Sequence, residues 1–267
     1  MLFSNIFIGL GAGLLVSSTF VFLGYNPIKY IALLFFTFSA TVFVYTFHAL
    51  LRFPEAVSVR ADWIRKEQVG LKGILVLSLF LAAYTLFSLS FTSAFHLIPL
   101  TIIAILYSLK FNFLGKEISL KSTSFLKVFL IAFVWAYITV ILPVLEAGFT
   151  FSMFPFLLFL KRFLLIAALA IPFDIRDVEE DTLKKINTIP VVFGIPFAKK
   201  IALLLLSLFL VLSISGKDFF ASLPGVLFAT VFILCEKKKG DYYYSFFGDG
   251  ILIFYSIFFI GIEMFPL

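Results

Sequence analysis

Three aspartates, Asp174, Asp177 and Asp181, recur at i, i+3 and i+7 in the segment FDIRDVEEDTLKKINTIPVVFG, residues 173–194. At about 100° per residue they fall within an arc of about 60° on one helix face, while Arg176, Glu179 and Glu180 point elsewhere. Like charges so close together repel, and where water is partly shut out that cost calls for a cation. A hard divalent ion with oxygen ligands meets the need, and magnesium held by one or two carboxylates completes its shell with water and substrate phosphate. Lys184 and Lys185 follow directly and are placed to neutralise phosphate charge. Asp174, Asp177 and Asp181 are thus candidate metal ligands and catalytic residues. The plainer alternative is a charged cap where a helix leaves the bilayer.

The elements that must position these groups are helices in lipid. The hydrophobic fraction is 62% and mean hydropathy +1.13, against roughly 45–50% apolar residues in a soluble domain. The bilayer is therefore the solvent for most of the chain. Nine apolar runs approach the roughly 20 residues that cross a hydrocarbon core, near residues 5–23, 28–51, 72–91, 94–109, 124–145, 151–173, 197–215, 219–235 and 250–266. No strand-like alternation competes with them, so the expected fold class is an all-α polytopic bundle. The first run lacks a basic segment before it and is expected to be a retained span rather than a signal peptide. The single cysteine, Cys235, excludes an internal disulfide and offers no metal-ligand pair.

Most of the 21 lysines and arginines gather in four segments, 52–72, 110–127, 176–200 and 237–239. The positive-inside rule puts those segments, and the N-terminus, in the cytoplasm and the C-terminus outside. The expected location is a cell's inner membrane. The net charge of +6 is then topology and contact with anionic lipid, and nucleic acid binding has no support. The longest non-apolar stretch, residues 52–71, is too short for a core of its own. Residues 1–267 are expected to form a single transmembrane domain.

The segment DIRDVEEDTLKKINTIPVVFG resembles the second aspartate-rich motif, DxxDxxxD with a trailing TxPVxxG, of the UbiA superfamily of intramembrane prenyltransferases. LYSLK, residues 106–110, is similar to the Tyr-and-Lys close of that family's fourth span, and FLKVFLIAFVWAYITVILP, residues 125–143, to its fifth. The resemblance implies a bundle of about nine helices around a central cavity open to the cytoplasm. There Mg2+ would hold a polyprenyl diphosphate between two aspartate-rich motifs, and a carbocation-like prenyl group would pass to an aromatic or other lipophilic acceptor. It implies Asp174, Asp177 and Asp181 as metal ligands, with Lys110 and Lys127 as further diphosphate contacts.

The chain departs from that pattern where the family's first motif, NDxxDxxxD, ends the second span. Residues 42–56 read VFVYTFHALLRFPEA, without an aspartate. The same spacing selects Tyr45, His48 and Arg52. Arg52 and a protonated His48 would bind diphosphate directly in place of one metal ion; or the site binds an isoprenoid lipid without turning it over; or this is an aromatic helix end with Arg52 reaching the interface. Other polar positions are also open to more than one role. Lys161 and Arg162, mid-span and about 20 Å from the carboxylates at 1.5 Å per residue, either reach the outer side, pair with Glu146, or line a polar wall. His96 is expected to be satisfied near the interface, and Asp249 either caps the last helix or lines the cavity mouth. A non-catalytic lipid-binding protein on the same scaffold is the competing function. A transporter is disfavoured because paired broken helices are absent.

Overall fold

The structure is a computed structural model that describes residues 2–52, 59–108, 111–113, 116–118, 124–149, 152–184, 186–215, 218–234 and 240–264. In lipid no water satisfies backbone polar groups, so each segment bonds to itself as a helix. Six helices are long and apolar enough to cross a membrane: Pro27–Leu51, Gln68–Leu86, Leu126–Glu146, Met153–Arg176, Ile195–Ser215 and Asp241–Met264. Three shorter apolar helices, Ile6–Phe22, Phe91–Leu106 and Phe219–Leu234, match the remaining expected runs. The chain is an integral membrane protein. One exception to the all-helical expectation is a small antiparallel hairpin, β1 (Phe111–Phe113) with β2 (Lys116–Ile118).

In chain order the helices that matter here are α1 (Ile6–Phe22), α2 (Ile31–Arg52), α3 (Val59–Lys66), α4 (Gln68–Leu86), α5 (Phe91–Ser108) and α6 (Ser124–Ala136). A five-residue π turn, Tyr137–Ile141, carries α6 on into α7 (Leu142–Glu146). There follow α8 (Met153–Arg176), α9 (Val178–Leu183), α10 (Ile189–Phe193), α11 (Ile195–Ser215), α12 (Phe219–Leu234), α13 (Asp241–Tyr243) and α14 (Asp249–Met264). A second π turn, Tyr244–Gly248, joins α13 to α14. The last helix therefore starts at Asp241, earlier than its apolar run implied, and takes in Tyr242, Tyr243 and Tyr244.

Helix α8 packs between α6 and α11, α14 between α1 and α12, and α2 between α1 and α4. Small residues permit the closest approaches, as is usual between helices in lipid. A Cβ on Gly225 would come within 2.7 Å of the Tyr255 ring, and one on Gly248 within 2.5 Å of the Phe173 ring. Hydroxyls inside the spans bond back to their own helices, as Ser17 does to the Gly13 carbonyl and Thr101 to that of Leu97. The first π turn frees a carbonyl from its ladder, and the Thr19 hydroxyl donates to that oxygen of Thr139 at 2.6 Å.

Lys161 and Arg162 correct one expectation. Both are buried, and Glu146 is engaged elsewhere, accepting from the Ser90 hydroxyl at 2.8 Å. Lys161 pairs with buried Asp218 at the start of α12, and the Ser222 hydroxyl donates to the same carboxylate at 3.0 Å. Arg162 donates to the Ser18 hydroxyl at 3.1 Å and lies over the Tyr255 ring, 5.6 Å from its centre. At this depth a charge needs a partner, and helices distant in sequence supply them here. His96 is satisfied as expected, by Tyr137 at 2.5 Å.

Replacing Gly225 by Leu is expected to cost about 1–3 kcal/mol through overpacking against Tyr255. It should lower the thermal unfolding midpoint in detergent, whereas Gly70→Leu, with no atom within 4 Å, should leave the midpoint close to that of the parent.

Candidate active site

A cavity of about 320 Å³ opens among α1, α2, α5, α6, α8 and α14. One end is charged and the rest is apolar. At the charged end stand Asp174 and Asp177 from the close of α8, Lys127 from α6, Arg60 from α3, Arg176 from α8 and Asp249 from α14. Tyr45 and His48 of α2 line the same space.

Each acid sits beside a base. The Lys127 ammonium donates to Asp174 Oδ1 at 2.5 Å, joining α6 to α8 through a carboxylate that is only 1% exposed. Oδ2 of the same residue is buried with no hydrogen-bond partner among the described residues. Arg176 grips Asp177 as a fork, Nε to Oδ1 at 2.7 Å and Nη2 to Oδ2 at 3.1 Å. Its guanidinium lies 5.3 Å from the centre of the Phe173 ring and 5.4 Å from that of Tyr244. A stacked, planar cation is the side chain suited to such a place. Arg60 is fixed by its backbone N–H, which donates to Asp241 at 3.0 Å, and by its Nη2, which donates to Asn5 at 3.1 Å.

The helical path continues through Asp177, because its N–H bonds to the Phe173 carbonyl and the Asp181 N–H to the Asp177 carbonyl, at 3.1 and 2.8 Å. The i, i+3, i+7 register is thus kept, yet the three acids do not converge. Asp174 and Asp177 line the cavity, while Asp181, also buried, stands outside its lining. Among the described residues no three His, Cys, Asp or Glu side chains are grouped to hold a metal ion. A preassembled three-aspartate cage is therefore not formed. A two-carboxylate site still suits magnesium, which draws its other ligands from water and phosphate, and the unpartnered Asp174 oxygen supplies a hard donor. The residues present fit the ion in that form.

Of the other expected contacts, Tyr45, His48 and Lys127 reach the cavity. Lys184 does not: it is exposed, and its ammonium donates to Glu180 at 2.5 Å, one helical turn away. Lys110, Lys185 and the side chain of Arg52 lie outside the described residues. Asp249 lines the cavity within an unbroken helical run, not at a helix start, so the capping expectation gives way.

Sequence reasoning missed Arg60 and placed Arg176 away from the acids. Arg60 rides on α3, a short helix inside the stretch judged too short for a core of its own, anchored by Ile64 in a small cluster with Ala49 and Leu71. The buried i, i+3 pair Ala61 and Ile64 within VRADWIRK carried that signal. Arg176 leaves the helix on another face, but its long side chain folds over Phe173 and Tyr244 to reach its neighbour.

The model of the UbiA prenyltransferase family matches residues 64–245. The chain belongs to that family. The match begins just after Arg60 and ends just before the second π turn closes, so it takes in Lys127, Asp174 and Asp177. Solved structures share the fold at low identity. A UbiA homologue from Archaeoglobus fulgidus bound to GPP and Mg2+ is 14% identical with a TM-score of 0.67, over 99% of this chain and all of that one. The same homologue bound to DMAPP and Mg2+ gives 14% and 0.64, again over 99% of this chain and all of that one. A digeranylgeranylglyceryl phosphate synthase is 17% identical with a TM-score of 0.58, over 97% of this chain and 93% of that one. No curated protein matches the sequence.

Removing one partner of the Lys127–Asp174 pair strands a buried charge. Asp174→Ala is expected to cost about 3–5 kcal/mol, and Lys127→Met combined with Asp174→Leu to recover most of it. Thermal unfolding of the two single variants and the double variant measures the coupling.

Proposed function

We propose that this protein transfers a prenyl group from an isoprenyl diphosphate to a lipophilic acceptor within the membrane. One observation carries the reading: a single membrane-embedded cavity, apolar through most of its length, ends in a cluster of carboxylates and fixed cations. Such a space matches an amphiphile with a phosphate head and a hydrocarbon tail. Family membership supports the same reaction class.

Lys127, Arg60 and Arg176 take the diphosphate, the two arginines through donor forks suited to phosphate oxygens. His48 and Tyr45, on the wall that in related sequences carries the first acidic motif, add donors rather than metal ligands. Because Asp174 and Asp177 each pair with one of the strong bases, a diphosphate needs added positive charge. Asp174 and Asp177 are the residues that would hold magnesium, with Asp181 behind them supporting the segment. When bound, the ion supplies electrostatic stabilisation of the departing diphosphate. The chain's own residues do the remaining work. Lys127 and the arginines hold the leaving group in place as its charge grows, and the apolar walls exclude water that would otherwise capture the prenyl cation. The positive-inside pattern supports a charged cavity end facing the cytoplasm, the N-terminus inside and the C-terminus outside.

The ion pairs themselves favour a second reading. Asp174 and Asp177 are both engaged by protein cations, and the first acidic motif is absent. A protein that binds prenyl diphosphate without turning it over would have this arrangement.

Membranes containing the protein, supplied with labelled prenyl diphosphate and an extract of lipophilic acceptors, are expected to form a labelled lipid. Asp177→Ala and chelation of divalent cations should each cut the rate by about a hundredfold or more. Binding without any covalent product across a broad acceptor panel would establish the second reading; full activity after chelation would overturn the role given to magnesium.

A further inference from the structure

The apolar part of the cavity has a floor. Trp135 of α6 and Tyr45 of α2 meet across it, the indole N–H donating to the tyrosine oxygen at 3.3 Å with the rings edge-on and their centres 6.4 Å apart. A half-buried indole whose N–H is satisfied presents its apolar face to the cavity. The lining ends at Trp135 on α6 and at Ile166 on α8, and beyond these positions Ala136, Val140, Leu142 and Leu165 are each fully buried. The π turn that begins at Tyr137 shifts the register of the α6 backbone directly after Trp135.

We propose that the Tyr45–Trp135 pair sets the length of prenyl chain that the site accepts, with a ceiling near the ten carbons of a geranyl group. The inference rests on the prenyl diphosphate reading above and specifies its substrate. Helix geometry sets the depth of the cavity. Lys127, at the charged end, and Trp135 are eight residues apart on one helix, about 12 Å at 1.5 Å per residue. With carbon–carbon bonds near 1.5 Å, an extended chain advances about 1.25 Å per chain carbon, so that depth takes the eight chain carbons of a geranyl group, about 10 Å, but not the twelve of a farnesyl group, about 15 Å. A farnesyl or geranylgeranyl tail has to displace the indole or bend out of the cavity.

The protein has two tryptophans, and Trp63 lies on α3 outside the cavity lining. Trp63→Phe therefore leaves Trp135 as the sole indole reporter. In detergent with magnesium, its fluorescence is titrated with dimethylallyl, geranyl, farnesyl and geranylgeranyl diphosphate. The expected result is a response to the two shorter compounds and an affinity for farnesyl diphosphate at least about tenfold below that for geranyl diphosphate. Competition against radiolabelled geranyl diphosphate then gives the farnesyl-to-geranyl affinity ratio for Trp135→Ala, Trp135→Leu and Trp135→Phe, each checked for folding by thermal unfolding. That ratio should rise about tenfold in the Ala and Leu variants and stay near the parent value in Phe, which keeps an aromatic wall. Equal affinity for geranyl and farnesyl diphosphate in the parent, or an unchanged ratio in folded Ala and Leu variants, overturns the floor while leaving the site reading intact. Failure of every prenyl diphosphate to bind overturns the site reading itself.

Discussion

A buried ammonium and a buried carboxylate, Lys127 and Asp174, hold α6 against α8 at the depth where the cavity changes from hydrocarbon to charge. Either group alone would be expensive there, and each is tolerable because the other is present. The rest of the site is arranged by the same constraint. Arg176 and Asp177 neutralise one another, and Arg60 is tied to Asn5 and Asp241, which brings a short surface helix over the cavity. A polar end assembled from paired charges can receive a highly charged ligand without having to be stabilised by it.

Helix α8 is the spine of this arrangement. It carries buried charged groups at two levels, Lys161 with Arg162 in mid-span and Asp174 with Arg176 and Asp177 at its close, and the partners come from α1, α6 and the start of α12. These contacts leave α8 little freedom to rotate or slide, because a shift of one residue would unpair several charges. Close packing adds to this: Gly248 admits the Phe173 ring, and that ring in turn supports the Arg176 guanidinium. The scaffold thereby positions acids that the cavity needs in a defined orientation, as a preorganised site requires.

The chain departs, at the end of the second span, from the aspartate-rich pattern that its resemblance to the family implies. There Tyr45 and His48 line the cavity, and Tyr45 also meets Trp135. Arg60 stands nearby with a fixed positive charge. On the proposed reading, the site relies more on direct cation contacts and less on metal ligands, and an aromatic pair stands where the hydrocarbon tail would end.

Much was legible in the sequence. Hydropathy dictated helices in a bilayer because an unbonded backbone is too costly there, and the spacing of Asp174, Asp177 and Asp181 marked the segment that holds two of the cavity acids. The run positions were also clear, although the last helix begins at Asp241 because polar tyrosines can continue a helix that hydropathy alone would end. Periodicity describes one helix at a time. It placed Asp181 beside its two neighbours, but whether an acid on that face meets the cavity depends on what packs opposite. It gave Lys184 a phosphate role that its pairing with Glu180 does not support. Arg60, Asp249 and the Asp218 partner of Lys161 belong to segments far away in the chain, and the Tyr45–Trp135 contact joins residues 90 positions apart. Such neighbours are chosen by the packing of helices against one another, so the identity of the charged groups was a property of the sequence, and their pairing was decided by the tertiary structure.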